Sequence, residues 1–313
     1  MIVSASRRTD IPAYYSDWFF KRLREGFALV RNPMDYDMVY RVPLDPAVTD
    51  GIVFWSKDPS PMLERLSELK NFAYYFQFTL NAYGGAEERF LPPLQARLDT
   101  FKRLADEIGA KRVIWRYDPI FINEKYTHEF HAEAFGNIVR TLSGYTERCV
   151  ISFLDMYRGI ERAAAELSIS PPEKADMERA AAWVSSITSE FGMSAETCSE
   201  AVDLLRFGVT HGKCVDAELL GEIGGCPLSV ERDRNQRPGC GCAASTDIGA
   251  YNTCSAGCIY CYASYSEGLM KRNISAHDVN SPLITGELSE EDEVIERAAK
   301  SNRNCQLNLF DML

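Results

Sequence analysis

Three cysteines near the C-terminal end of the chain have the spacing of a metal-binding loop. Cys254, Cys258 and Cys261 form a C-x3-C-x2-C pattern. A [4Fe–4S] cluster normally takes four cysteine thiolates, so three would leave one iron open to a ligand that the protein does not supply. Zinc is the competing interpretation, although structural zinc sites usually close with four protein ligands. The spacing therefore favours an iron–sulfur cluster and leaves zinc as the alternative.

A second group of cysteines lies upstream and could form another four-ligand site. Its members are Cys198, Cys214, Cys240 and Cys242. Gly239 and Gly241 would let the backbone fold around an ion at the tight C-x-C pair. This site would hold an auxiliary [4Fe–4S] cluster or a structural Zn2+, with Cys226 as a substitute ligand. The alternative is a set of buried free thiols, and Cys149 and Cys305 are interpreted as packing residues.

Composition and charge narrow the class of protein. Of the 313 residues, 46% are hydrophobic and 25% charged, as is typical of a soluble globular chain. A net charge of −11 excludes a globally basic, nucleic-acid-binding surface. The uncharged run at residues 248–266 is long enough to span a bilayer, but it is too polar for a membrane helix. No apolar segment follows Arg7-Arg8, so we expect a cytoplasmic protein, in which clustered cysteines indicate metal ligation rather than disulfides.

Short apolar runs alternate with helical patterns along most of the chain. Helices are predicted near residues 14–25, 61–69, 93–108 and 173–190. Strands are predicted at residues 2–6, 51–55, 74–80, 112–117, 149–154 and 192–195. The alternation predicts an α/β fold with a parallel sheet. Because no glycine-rich phosphate loop follows the first strand, a partial or full TIM-like (β/α) barrel is favoured over an open dinucleotide-binding sheet.

Polar residues repeatedly follow the predicted strands. They are Thr9, Asp10, Ser56, Lys57, Asn81, Arg116, Asp118, Asp155 and Glu196. The carboxyl ends of the strands in a (β/α) barrel meet at one rim, where such enzymes carry their reactive groups. These side chains are therefore expected to lie together.

Four segments are predicted. Residues 1–198 supply barrel strands and helices, and residues 199–246 form a cysteine-rich insertion punctuated by glycine and proline. Residues 247–286 form the cluster-binding strand, loop and helix that complete the barrel. Residues 287–313 form a C-terminal helix and tail, in which Ser289 is expected to cap a charged helix over Leu288–Lys300.

The cysteine motif, with Tyr260 immediately before its third cysteine and Tyr262-Ala263 after it, resembles that of the radical S-adenosylmethionine superfamily. This resemblance implies that Cys254, Cys258 and Cys261 bind a [4Fe–4S] cluster whose open iron chelates S-adenosylmethionine, and that Tyr260 lies near the adenine. The motif follows the first barrel strand in that superfamily but lies near the C-terminus here. A circular permutation would reconcile the two, with the strand before Cys254 first and the N-terminal strand second.

The N-terminal half is similar to the spore photoproduct lyase branch, in which strands ending in Thr-Asp and then in a Lys-containing turn follow the cysteine motif. Thr9-Asp10 and Trp55-Ser56-Lys57 occur here in that order. The resemblance implies that a group of polar residues holds the cofactor or substrate: Thr9, Asp10, Ser56, Lys57, Gln77, Arg116 and Asp118. The alternatives are a rim salt bridge for Arg116 and Asp118 and a solvated charge for Lys57. The whole chain also resembles an uncharacterised bacterial family with a C-terminal cysteine cluster, which implies no activity.

The resemblance implies an enzyme that cleaves S-adenosylmethionine to methionine and a 5′-deoxyadenosyl radical, which abstracts hydrogen from a substrate that the sequence does not identify. The electron would come from a donor such as flavodoxin or ferredoxin. No catalytic residue is assigned, although Tyr251, Tyr262 and Tyr117 are candidates for a hydrogen relay. A cluster that only senses is a further possibility.

The alternative function is a non-catalytic zinc- or iron–sulfur-binding protein that docks on a partner. Gln306–Phe310 resembles the peptide by which bacterial DNA-maintenance proteins bind the replication sliding clamp. The stretch Arg232–Arg237 would add a local basic edge for DNA. The competing interpretation is that this tail folds back onto the protein's own surface.

Overall fold

A computed structural model describes residues 1–156, 160–237 and 239–305 and contains a parallel sheet of eight strands. In chain order the strands of the chain are β1 (Ile2–Ala5), β2 (Phe27–Arg31), β3 (Met38–Pro43), β4 (Gly51–Ser56), β5 (Tyr74–Thr79), β6 (Val113–Ile120), β7 (Arg148–Phe153), β8 (Ser194–Thr197), β9 (Val209–His211), β10 (Ser245–Asp247) and β11 (Glu293–Glu296). The large sheet has the order β10-β1-β4-β5-β6-β7-β8-β9. Every neighbouring pair in it is parallel, which confirms the predicted α/β class.

Helices connect most of these strands. They are α1 (Ile11–Tyr14), α2 (Ser16–Glu25), α3 (Leu94–Ile108), α4 (His128–Leu142), α5 (Glu161–Glu166), α6 (Lys174–Glu190), α7 (Ala217–Gly224) and α8 (Glu267–Ser275), with a 3-10 helix at Ser60–Leu69. Apolar residues of α2, α3, α4 and α6 pack with one face of the sheet in the main core. Alternate strand residues such as Val53, Tyr75 and Val150 pack on the other face, against Val215 and Leu220 of the cysteine-rich segment.

The large sheet does not close into a barrel by strand pairing. Among the described residues, no ladder joins β9 to β10, the two outer strands. The segment 199–246, predicted as an insertion, contributes β9 to the sheet. It also contributes α7, which packs on the face of the sheet opposite the main core, called the inner face below. The architecture is thus an eight-stranded parallel sheet with helices packed around it.

The strand that precedes the cysteine motif lies beside the N-terminal strand, as predicted. Ser245–Asp247 of β10 pairs in parallel with Ile2–Ser4 of β1. The Asp247 carboxylate joins the two strands because it accepts hydrogen bonds from Ser4 Oγ (2.6 Å), Ser6 Oγ (2.6 Å), the Arg7 amide (2.8 Å) and the Gly249 amide (3.0 Å). This carboxylate therefore fixes the entry to the cysteine loop.

The predicted C-terminal helix over Leu288–Lys300 is wrong. Glu293–Glu296 instead forms β11, which pairs with β3 in a small sheet of order β11-β3-β2. The β2–β3 hairpin, which the sequence analysis missed, offers an unpaired strand edge. Arg31 Nη2 donates to Asp292 Oδ2 at 2.7 Å and anchors the incoming chain. The backbone pairing of β11 with β3 and this ion pair outweigh the helix propensity of the segment, because such propensities differ by at most about 0.7 kcal/mol per residue among ordinary residues.

The expectations for Cys226 and Cys305 are also wrong, because these two residues form a disulfide. The C-terminal segment runs back along the loop after α7, where the Asn304 amide donates to the Pro227 carbonyl at 2.9 Å. This contact brings two cysteines that are distant in sequence together. Cys149, by contrast, is buried in the main core as predicted.

Two further expectations concern membranes and partners. In the part of the chain that the structure describes, none of the helices has the length and apolar character needed to cross a bilayer. The proposed clamp-binding peptide Gln306–Phe310 lies outside the described residues.

Replacement of Asp247 tests the junction between the two ends of the chain. Asp247→Ala removes the acceptor of four hydrogen bonds, so we expect the free energy of unfolding to fall by about 2–4 kcal/mol. Asp247→Asn keeps one acceptor oxygen and should cost less. Urea denaturation of the three proteins measures this order, and an alanine variant as stable as the wild type would contradict it.

Candidate functional site

A cavity of about 610 Å3 opens at the carboxyl ends of the strands of the large sheet. All seven cysteines predicted as ligands line it: Cys198, Cys214, Cys240, Cys242, Cys254, Cys258 and Cys261. So do all but one of the other predicted site residues: Thr9, Asp10, Ser56, Lys57, Arg116, Asp118 and Tyr260. Gln77 is fully buried beneath the cavity, where its side chain contacts Arg116. The structure thus brings together residues predicted from distant parts of the sequence.

The C-x3-C-x2-C motif forms a loop between β10 and α8. Its thiols are free and half-buried, and burial raises the pKa of Cys258 to about 12 although Lys57 opposes the rise. The loop is held to the segment before α3, where the Ile259 amide donates to the Glu87 carbonyl at 3.0 Å and the Phe90 amide to the Ala256 carbonyl at 3.2 Å. A fixed loop therefore presents three thiols to one cavity.

Two hydroxyl groups that line the cavity fit a bound polar group. Thr9 Oγ1 and Ser199 Oγ are buried without a hydrogen-bond partner, and both residues line the cavity. No three His, Cys, Asp or Glu side chains within the described ranges are arranged around a single ion. The ligands of a cubane cluster bind different iron atoms, so they need not converge in this way.

A buried charge network lies beside Cys258. Lys57 Nζ donates to Glu88 Oε1 at 2.8 Å and to the Tyr260 hydroxyl at 3.1 Å, and that hydroxyl also donates to Glu88. Arg97 Nη1 lies 3.1 Å from Glu88 Oε2. Burial alone would raise the pKa of Glu88, but Lys57 and Arg97 outweigh it and lower this pKa. Lys57 is therefore a partly buried cation held at the cysteine loop, contrary to the solvated-charge alternative.

Tyr260 is held by its ring as well as by its hydroxyl. The ring packs edge-on against Tyr83 with 5.7 Å between centroids, and the residue is only 6% exposed. Most of its surface therefore contacts protein, and only a small part faces the cavity.

Asp10 is a buried carboxyl at the exit of β1. It accepts hydrogen bonds from the Ala13 amide at 3.0 Å and from the Lys57 amide at 2.8 Å. Burial nevertheless raises its pKa to about 6. Asp10 thus ties the exits of β1 and β4 together beneath the Cys254 side of the cavity.

Arg116 and Asp118 form the ion pair that the sequence analysis gave as the structural alternative. Arg116 Nε donates to Asp118 Oδ2 at 2.9 Å, and Ser152 donates to the same carboxylate. Arg116 also reaches the second cysteine group, since its Nη1 lies 2.9 Å from Cys214 Sγ and 3.3 Å from Gln77 Oε1. The pair is therefore a rim ion pair that also contacts a thiol.

Two of the three proposed relay tyrosines lie at the cavity. Tyr251 and Tyr262 line it, and the Tyr262 hydroxyl donates to the Arg7 carbonyl at 2.5 Å. Tyr117 is fully buried in the main core, where its hydroxyl bonds to His131 Nδ1 at 2.7 Å. Its place among the relay candidates is lost because its side chain points to the helix-covered face of β6.

Several residues of the site belong to no sequence motif and could not be predicted from the sequence. Glu88 lies in the segment between β5 and α3, and Arg97 lies in the first turn of α3. Neither residue directly follows a strand. Glu200 is 5% exposed and accepts a hydrogen bond from the Phe153 amide at 2.9 Å. In the proposed basic edge, Arg237 pairs with Asp155 and Arg234 with Glu231, so this stretch is not a row of free cations.

Glu200 makes the stability of the fold depend on pH. Burial raises its pKa from 4.5 to about 7, so the folded state holds a proton that the unfolded chain releases. This contribution is complete below pH 4.5 and is lost as the pH rises through 7. The shift corresponds to at most about 3 kcal/mol.

Comparison with Glu200→Gln isolates this contribution. The amide oxygen still accepts from the Phe153 amide, so we expect the variant to gain stability relative to the wild type between pH 5 and 8, by up to about 3 kcal/mol. Asp10 titrates in both proteins and cancels in the difference. Urea denaturation across this pH range provides the measurement, and a constant difference would show that Glu200 is not the group.

No curated protein matches this chain. A family model described as a domain of unknown function, DUF1848, matches residues 2–263. The match extends from β1 through the last cysteine of the C-x3-C-x2-C loop and so includes both cysteine groups. The chain belongs to the DUF1848 family.

Proposed function

We propose that this protein is a radical S-adenosylmethionine enzyme on a circularly permuted, partial (β/α) barrel. One observation carries the proposal: a C-x3-C-x2-C loop with three free thiols lies at the carboxyl edge of a parallel sheet, directly after a strand that pairs with the N-terminal strand. The resemblance of the motif to that superfamily supplies the chemistry.

The curvature of the sheet supports the barrel part of this proposal. Eight strands laid flat would separate the outer two by about 34 Å, at about 4.8 Å per strand interval. The loop after β10 carries Cys254, and Cys198 and Cys214 follow β8 and β9 at the other edge. These residues nevertheless line one cavity of about 610 Å3. The sheet must therefore curl until its edges approach each other.

The residues present fit the proposed cofactors. Cys254, Cys258 and Cys261 would bind the [4Fe–4S] cluster, and the unpartnered hydroxyls of Thr9 and Ser199 would face S-adenosylmethionine or substrate. When bound and reduced by an external one-electron donor, the cluster supplies the electron that cleaves S-adenosylmethionine to methionine and a 5′-deoxyadenosyl radical able to abstract hydrogen.

The chain's own residues position and insulate this chemistry. Lys57 is held by Glu88 and Tyr260 beside Cys258 and would offset the negative charge of the Cys258 thiolate in a cluster. Asp10 fixes the backbone of Lys57. Arg8 lies over the ring of Tyr251, 5.3 Å from its centroid, which places a cation and a ring at the mouth of the cavity. Tyr251 and Tyr262 remain the relay candidates.

Cofactor cleavage tests the proposal directly. Protein reconstituted anaerobically with iron and sulfide, then reduced with dithionite, should convert S-adenosylmethionine to 5′-deoxyadenosine. Cys258→Ala should reduce product to background because one ligand is lost. Cys149→Ala, which removes a thiol from the core, should retain product. A wild-type protein that takes up no iron and makes no product would overturn the proposal in favour of a non-catalytic platform.

Charge at Lys57 should tune the cluster. Lys57→Met removes a partly buried cation next to Cys258 and leaves Glu88 negative, which disfavours the reduced cluster. We expect its reduction potential to fall on the order of 50 mV. The matched control is Lys125→Met, because Lys125 pairs with Glu87 at 2.8 Å but is 61% exposed. Redox titration monitored by electron paramagnetic resonance measures both, and equal potentials would exclude this role.

A further inference from the structure

The second cysteine group forms a continuous row of thiols at the base of the cavity. Cys198 Sγ lies 3.1 Å from Cys214 Sγ. Cys242 lies within side-chain hydrogen-bonding reach of both Cys214 and Cys240. The four thiols therefore follow one another as Cys198, Cys214, Cys242 and Cys240, although they come from three separate segments.

The backbone that carries these thiols is held firmly. The Cys214 carbonyl accepts from Tyr75 Oη at 2.7 Å and from Gln77 Nε2 at 3.0 Å, and both donors lie on β5. The Cys198 amide donates to the Ile151 carbonyl at 2.9 Å. The row is thus anchored to the middle of the large sheet.

Hydrogen-bond donors and cations point at the sulfurs. Arg116 Nη1 lies 2.9 Å from Cys214 Sγ, and the Val215 amide donates to Cys242 Sγ at 3.4 Å. Arg7 lies close enough to Cys242 and Cys214 to interact with their charge. Donors of this kind stabilise thiolates in metal sites. Four thiolates around a divalent ion carry a net charge of −2, which the two guanidinium groups would partly neutralise.

The sulfur spacing favours a single ion over a cubane cluster. Four sulfurs placed about 2.3 Å from one tetrahedral zinc ion lie about 3.8 Å from one another. Cys198 Sγ and Cys214 Sγ, which are 3.1 Å apart, are close enough to bind one such ion. The cysteines of a cubane bind separate irons and stand further apart. Within the described residues no three of these side chains are arranged around one ion, so binding requires the cysteine side chains to turn towards a common centre and to bind as thiolates.

We propose that Cys198, Cys214, Cys240 and Cys242 bind one zinc ion, and that this ion fastens the two open edges of the sheet. Cys198 and Cys214 follow β8 and β9, whereas Cys240 and Cys242 lead into β10. A backbone contact already joins these two segments, because the Ala243 amide donates to the Val215 carbonyl at 2.9 Å. The zinc ion closes by coordination a barrel that strand pairing leaves open.

This site goes beyond the proposed function and does not depend on it. The test uses the full chain with Cys254, Cys258 and Cys261 all replaced by Ala, which abolishes the other cluster. Elemental analysis of this protein should give about one zinc per chain. Adding Cys214→Ala should reduce zinc to about zero, whereas adding Cys149→Ala should leave it unchanged.

Cobalt exchange on the unaltered chain tests the same site even where a cysteine variant fails to fold. Bound Co2+ should show the sulfur-to-cobalt charge-transfer and tetrahedral ligand-field bands of a four-thiolate site. Removal of zinc by a chelator should also lower the melting temperature, because an ion that binds only the folded state stabilises it. Absence of zinc from the triple variant, or iron and sulfide there instead, would overturn the assignment.

Discussion

The carboxylate of Asp247 is the contact on which the arrangement of this molecule depends. It lies at the end of β10 and accepts hydrogen bonds from β1, from the exit of β1 and from the turn that starts the cysteine loop. The C-terminal part of the chain is thereby fixed beside its first strand. The thiols of the C-x3-C-x2-C loop consequently face the same cavity as Asp10 and Lys57.

Charge inside the cavity imposes the next constraint. Burial of Lys57, Arg116 and Glu88 costs more than an isolated pair returns unless further hydrogen bonds satisfy each group. Here Glu88 pairs with both Lys57 and Arg97 and accepts hydrogen bonds from Lys57 and the Tyr260 hydroxyl. Arg116 pairs with Asp118 and also donates to Gln77. These pairs leave cationic groups next to sulfur in both cysteine groups. A site that holds thiolates requires such neighbouring cations, whereas a purely apolar core does not.

Local sequence patterns predicted the elements whose conformation depends mainly on residues close by in the sequence. The short, β-rich apolar run at residues 74–80 predicts a strand, and β5 is Tyr74–Thr79. The helix predicted over residues 288–300 is wrong because the conformation of this segment depends on an unpaired edge of β3, which no local sequence pattern indicates. The interpretation of Cys305 as a packing residue is wrong for a similar reason, since its disulfide partner Cys226 is distant in sequence. Spacing and clustering singled out the seven cysteines that line the cavity, whereas Glu88 and Glu200 could be found only from the three-dimensional structure.

The open edges of the sheet and the row of thiols are structurally related, because the segment that carries most of the thiols lies at the opening. A curled parallel sheet that stops short of closure leaves unpaired backbone groups on two facing strands, which is unfavourable when they are buried. The cysteine-rich segment occupies this opening, packing Val215 and Leu220 against the inner face and bonding its two arms through Val215 and Ala243. Its few apolar residues cannot form a core of their own. An ion held by cysteines from both arms would therefore stabilise the segment and the curvature of the sheet together, and with it the cavity into which the C-x3-C-x2-C loop opens.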